Sequence, residues 1–206
     1  MKLRSFSVPG LLLASACLLA TSGCNLIPPS TPDATRYYVL TTTTPKPAAT
    51  SSTAHWRVAL RPIEVPSYLR GKAMQVRSAS NEIHFAEEAR WAESLEAGLS
   101  RVLREDLDDR GEVAHVVSSA GEEHDFEIAV RLLRCEGDRD SKVARFTAVV
   151  EIYPPGAGSE RRVRDVFTTE VPGWDGSYGQ LALKLSEAVD GLADRIATLV
   201  PTAEKR

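Results

Sequence analysis

Side chains able to do chemistry are spread thinly along this chain of 206 residues, and few of them stand in a spacing that would let them act together. Ser118 and Ser119 lie between His115 and His124, with Asp125 next in line; these are the residue types of a nucleophile, its base and an orienting carboxylate. Ser, His and Asp within ten residues of one polar stretch recur by chance, and the stretch reads as a solvated loop. Glu122, Glu123, Asp125 and Glu127 form one acidic cluster, and Glu136, Asp138 and Asp140 form another. A calcium loop needs ligands at alternating positions, whereas Asp138-Arg139-Asp140 offers two with an arginine between them, so an exposed hairpin is expected there. The histidines His55, His84, His115 and His124 show neither HExxH nor a cysteine pairing at zinc-like spacing, and no metal site is expected. GxSxG, GxGxxG and P-loop motifs are absent from the sequence, which gives no reason to expect a cofactor or a serine-hydrolase elbow.

The strongest chemical signal is a thiol. Lys2 and Arg4 precede a mostly apolar run at 8–20, about 13 residues long, followed by the small residues Thr21, Ser22 and Gly23 and then Cys24. A positive start, a short apolar core and a small-residue cleavage region make a secretory signal peptide; the apolar run falls short of the roughly 20 residues a membrane-spanning helix needs. The residues before Cys24 resemble a bacterial lipobox, with Thr21 where that pattern usually has leucine, and this implies acylation of the Cys24 thiol as the first residue of the mature chain. Cys17 fits less well, because apolar residues continue past it. Asn25 follows Cys24, and in the sorting pattern this resembles, a residue other than aspartate there sends the chain on to the outer membrane. Cys135 is then left without an intramolecular partner and is expected to be a half-buried thiol at a strand end.

Charge bounds the partners. The chain carries 25 Lys+Arg and 28 Asp+Glu, net −3, and loses Lys2 and Arg4 with the signal peptide. No basic excess points to nucleic acid, and an acidic body is not drawn to anionic lipid by itself, so the acyl chains must hold it at the membrane. With 43% apolar residues the chain can bury one ordinary core.

The positions of these residues depend on the elements that carry them. Asn25 to Pro32 contains Pro28, Pro29 and Pro32 and reads as a semi-extended tether, and 41–54 reads as a solvated Thr/Ser/Ala/Pro loop. Tyr37-Tyr38-Val39-Leu40 is a short strand candidate, and 56–65 reads as a strand ending at Pro66. A hairpin is predicted from 74–77 and 83–85. From 87 to 110 the period changes to helical, with Trp91, Leu95, Leu99, Val102, Leu103 and Leu107 on one stripe and Gly111 placed to end it. Strands are predicted over 113–117, 126–133, 143–153 and 162–169, and a second amphipathic helix over 178–200, with Pro201 just past its end. That order predicts an α/β fold: a single domain, a mixed β-sheet with two main amphipathic helices packed on it.

Several of these segments, in order, resemble the ABC-type and MCE-type transport auxiliary lipoproteins, a family of paraquat-inducible protein C-like outer-membrane lipoproteins. The matching pieces are Tyr37-Tyr38-Val39-Leu40, Arg57-Val58-Ala59-Leu60-Arg61-Pro62-Ile63-Glu64-Val65-Pro66-Ser67-Tyr68-Leu69, Gln75-Val76-Arg77, Arg90-Trp91-Ala92-Glu93-Ser94-Leu95 and the closing helix. Two departures are Arg70-Gly71-Lys72, where the family tends to have an acidic-basic pair, and Ser94, where proline is common. The resemblance implies signal peptide 1–23, lipidated Cys24 with a tether over 24–36, the family domain over 37–200 and a tail over 201–206. It also implies a non-enzymatic role: a lipoprotein on the periplasmic face of the outer membrane, partnered with an MCE-domain protein that carries lipid between membranes, with homo-oligomers as a further possibility. Pro66-Ser67-Tyr68-Leu69 reads as a turn that either tucks Tyr68 into the core or offers it to a partner, with Tyr68, Leu69 and Arg70 as the candidate contact. The rival reading is an outer-membrane lipoprotein that activates a periplasmic cell-wall enzyme. A tether of 12 residues from Asn25 to Arg36 reaches at most about 40 Å, which suits a partner that comes to the domain.

Overall fold

The computed structural model describes residues 33–43, 56–79, 81–110, 115–117, 121–156 and 160–204. The expectations on Cys24, Cys17, the signal peptide, most of the tether, Ser118 and Ser119 lie outside the described residues. In chain order the elements are β1 (Arg36–Tyr38), β2 (Arg57–Leu60), a 3-10 turn (Ser67–Leu69), β3 (Ala73–Ser78), β4 (Glu82–Trp91), α1 (Leu95–Asp109), β5 (His115–Val116), β6 (Phe126–Asp138), β7 (Val143–Tyr153), β8 (Val163–Pro172) and α2 (Tyr178–Glu204). These form one eight-stranded mixed sheet with two helices, the α/β architecture that the sequence predicts.

The sheet is organised around β6. One edge pairs antiparallel with β7 from Glu127 to Asp138, and β8 continues beyond β7. The other edge takes β2 in parallel near Phe126–Ile128 and β3 in parallel at Gly137 and Asp138, with β5 beyond β2, and β4 then β1 beyond β3. Phe126, Ile128, Val130 and Leu132 are buried, as the alternation requires. A bulge between Leu132 and Arg134 then inserts Leu133 and reverses the parity. Past it, Cys135 and Gly137 face the core, and Glu136 and Asp138 turn to the opposite face. Helix α2 lies across β6, β7 and β8 with Leu181, Leu185, Val189, Leu192, Ile196 and Val200 buried, and α1 packs against α2 and β5. The opposite face of β6, β7 and β8 carries no helix among the described residues, as antiparallel sheets allow.

Several boundaries differ from the sequence reading. β2 stops at Leu60 rather than Val65, because Pro62 has no N–H to give the ladder; the chain still follows β6, with Glu64 N–H bonded to Val130 O at 3.0 Å and Leu132 N–H to Glu64 O at 2.8 Å. β4 runs on to Trp91, so the start expected for the first helix at Glu87 is strand. Pairing of Tyr38 with Trp91 and of Ala73 with Arg90 takes that backbone, and α1 begins at Leu95, where the Ser94 hydroxyl accepts from Ala97 N–H at 3.2 Å. Trp91 and Leu95 are both buried, but on two different elements. β6 extends five residues past the expected end, because the bulge breaks the alternation that would have marked it. Pro201 lies inside α2, not past it; the last turn is held by burial of Ala203 and by Thr202 Oγ1 donating to Leu199 O at 2.6 Å. Cys135 is fully buried within β6 instead of half-buried at a strand end, and burial pushes its thiol well above the ordinary range.

Candidate functional site

The segment after β2 crosses the bulged stretch of β6 and leaves a groove of about 1020 Å³ between itself and the uncovered sheet face. Ala129, Val149 and Leu133 contribute to its lining, and Val149 is buried although it is on this face. At one end Arg61 lies over the Tyr153 ring, 4.3 Å from its centroid, and its Nε donates to Glu127 Oε2 at 2.6 Å. Burial works against charge on Glu127, but hydrogen bonds from Arg61, the Gly156 N–H and His124 outweigh it and hold the carboxyl below the usual range. Glu151 is likewise lowered against its burial by the Tyr153 hydroxyl, at 2.8 Å, and by Arg161. The arginine-on-tyrosine end is therefore a fixed, charged platform.

The other end is the 3-10 turn. Pro66 is pre-set for the turn, Leu69 N–H bonds to Pro66 O at 3.0 Å, and Leu69 itself is fully buried. This corrects the expectation for Leu69: a side chain sealed in the core offers nothing to a partner. Tyr68 is half-buried, packed against the core without being sealed in it. Its hydroxyl donates to Leu133 O at 3.1 Å beside Glu136, burial and that carboxylate push its pKa up to about 12, and the half-buried side chain lines the groove. Arg70 is exposed, steadied by Nε donating to Val65 O at 3.2 Å. Tyr68 and Arg70 thus share one rim of the groove, with Arg131 also lining it.

Beneath Tyr68 lies a polar cluster that the sequence reading missed. Arg77 on β3 forms a two-pronged bond to Glu136, a fully buried carboxylate, and the hydrogen bond raises the Arg77 pKa. Asp138 is also buried, its Oδ1 accepting from Ser141 N–H at 2.8 Å and Ser141 Oγ at 2.7 Å. The expected exposed acidic hairpin is therefore partly internal: the bulge aims Glu136 at the arginine. The parallel β3–β6 pairing that joins Arg77 to Glu136 bridges 59 residues of sequence and has no local signature.

The other chemical groupings do not converge. His115 Nδ1 sits 3.0 Å from Asp108 Oδ1, His124 Nδ1 contacts Glu122 O at 2.7 Å, and Asp125 accepts from the Arg57 N–H at 2.7 Å, so each of the three has a different partner. Among the described residues no group of three His, Cys, Asp or Glu could hold a metal ion, and no helix is long and apolar enough to cross a membrane.

This fold is shared with known structures. A crystal structure of a Xanthomonas campestris protein is similar over 82% of this chain and 98% of its own, with 16% identity and a TM-score of 0.67. A hypothetical protein from Chlamydia trachomatis is similar over 70% and 96%, with 11% identity and a TM-score of 0.51. At those identities the likeness extends to the fold alone. No curated protein is significantly similar in sequence. The family model of the ABC-type transport auxiliary lipoprotein component matches residues 38–197, from the last residue of β1 into the final turns of α2 and across the whole groove. With most of its length matched, the chain belongs to the ABC-type transport auxiliary lipoprotein family.

Proposed function

We propose that this protein is a non-enzymatic auxiliary component of an MCE- and ABC-type intermembrane lipid transport system, held on the periplasmic face of the outer membrane by acylated Cys24. The observation that carries the reading is the groove rimmed by Tyr68, Arg70 and Arg131, a half-buried aromatic with exposed cations around it on a rigid sheet. Aromatic and arginine side chains at the border of a pocket are typical anchors of protein interfaces. The groove receives an MCE-domain partner, and the tether keeps the domain close to its own membrane so that the partner comes to it. Acyl chains supply the attachment that an acidic body lacks.

A photo-crosslinker at position 70 in intact cells tests this. Capture of an MCE-domain protein supports the reading, and loss of the crosslink with Arg131→Glu places the partner in the groove. Capture of a cell-wall enzyme alone overturns it.

A further inference from the structure

The tether, wherever it runs, must join the domain at β1, and that edge of the sheet has an unusual surface. β1 is the last strand on its side of the sheet and is only three residues long. Tyr37 is 61% exposed and Val39 44%, and being two residues apart in an extended chain they lie on one face. Tyr37 is paired in register with Arg90 of β4. Arg36 and Arg90 are both exposed, and neither side chain makes a hydrogen bond or ion pair among the described residues. The carboxylate nearest along β4 on the Arg90 side is Glu88, itself exposed. Arg90 shares the face of the Tyr37 ring, and Arg36, one residue earlier, is exposed at the same edge on the other face. A tyrosine with guanidiniums at one edge suits a bilayer border, because tyrosine favours the headgroup level and guanidiniums pair with phosphate.

We infer that the outer edge of β1 is a phospholipid-facing surface, with Tyr37 and Val39 at the bilayer interface and Arg36 and Arg90 on lipid phosphates. This rests on the reading that Cys24 is the acyl anchor. Only 12 residues run from Asn25 to Arg36, at most about 40 Å of chain, so the edge is confined near the bilayer and even weak contacts are populated. Glu88 suits the ammonium of a zwitterionic headgroup. A partner strand is a worse occupant, because three residues of edge offer too few ladder bonds.

The test uses the full acylated chain in phosphatidylethanolamine–phosphatidylglycerol vesicles, with a nitroxide on Val39→Cys and, separately, on Thr168→Cys of β8. Cys135 is buried and stays unlabelled. A water-soluble nickel chelate is expected to reach the label at 39 severalfold less than that at 168. Combining Arg36→Glu, Tyr37→Ser and Arg90→Glu should remove the difference while the protein still floats with the vesicles. Equal access at both labels in floated protein overturns the inference, as does protection at 39 that survives the triple substitution. The same protection in a Cys24→Ser chain without vesicles makes β1 a contact between copies and overturns the lipid assignment. A wild-type chain that does not float overturns the anchor and this inference together.

Discussion

Arg77 and Glu136, 59 positions apart in sequence, are bound by two hydrogen bonds across the parallel pairing of β3 and β6, with the carboxylate fully buried and the Tyr68 hydroxyl 3.5 Å from its Oε2. The pair lies beneath the aromatic rim of the groove, in reach of Tyr68. Removing one partner leaves a buried charge uncompensated, which costs about 3–5 kcal/mol, whereas replacing both with apolar groups is close to neutral. Arg77→Met should therefore lower the urea midpoint strongly, and Arg77→Met with Glu136→Leu should recover most of it. A single Arg77→Met variant as stable as wild type would show that the pair does not hold the site.

Asp106 sets a pH dependence. It is fully buried on α1 with both carboxylate oxygens unpartnered, while Arg110 spends its guanidinium on Asp190 at 2.7 Å and Asp194 at 2.6 Å of α2. Burial first, and then the nearby Asp190, raise the Asp106 pKa to about 7. The folded state thus holds a proton that the unfolded chain, with an ordinary aspartate, releases near pH 4. Stability from this group is greatest below that value, falls as pH rises towards 7 and is flat above, by about 1.4 kcal/mol for each pH unit between the two values. Asp106→Asn should melt close to wild type at pH 4 and above it at pH 8; equal pH slopes for the two proteins would remove Asp106 as the cause.

Gly137 has no room for a side chain. A Cβ there would stand 2.8 Å from Trp174 Cη2 and Cζ3 and 3.2 Å from Leu181 Cδ1, and the indole is fixed by Nε1 donating to Ser177 O at 2.7 Å. Overpacking of this kind costs about 1–3 kcal/mol. Gly137→Ala should lower the melting temperature and alter the near-ultraviolet circular dichroism of the tryptophans, and wild-type values for both would mean that Trp174 moves freely.

The stripe of α2 holds the fold. Leu192 is 1% exposed against the sheet, and Leu192→Asp would bury an unpaired carboxylate there, costing several kcal/mol out of the roughly 5–15 that a domain has. The variant should be unfolded or aggregated at 37 °C by circular dichroism. Wild-type melting would instead assign the stripe to an outward surface.

The sequence by itself determined the elements whose order is local. The helical stripe of α2, the alternation of β6 before its bulge and of β7, the hairpin of β3 and β4, and the turn set by Pro66 are legible because the periods of helix and strand are written in neighbouring residues. The strand that Trp91 ends was hidden because 91 and 95 are one helical turn apart in sequence, and only pairing with β1 and β3 decides which period wins. The site was legible in part: Tyr68 and Arg70 stand on the groove, while Leu69, next to both, is core because the 3-10 turn points it inward. Arg61 on Tyr153, and Arg77 on Glu136, could not be read at all. Those contacts depend on strand register and on one inserted residue at Leu133, and a one-residue change of register exchanges the two faces of a strand, so only the tertiary structure decides which charges are buried together.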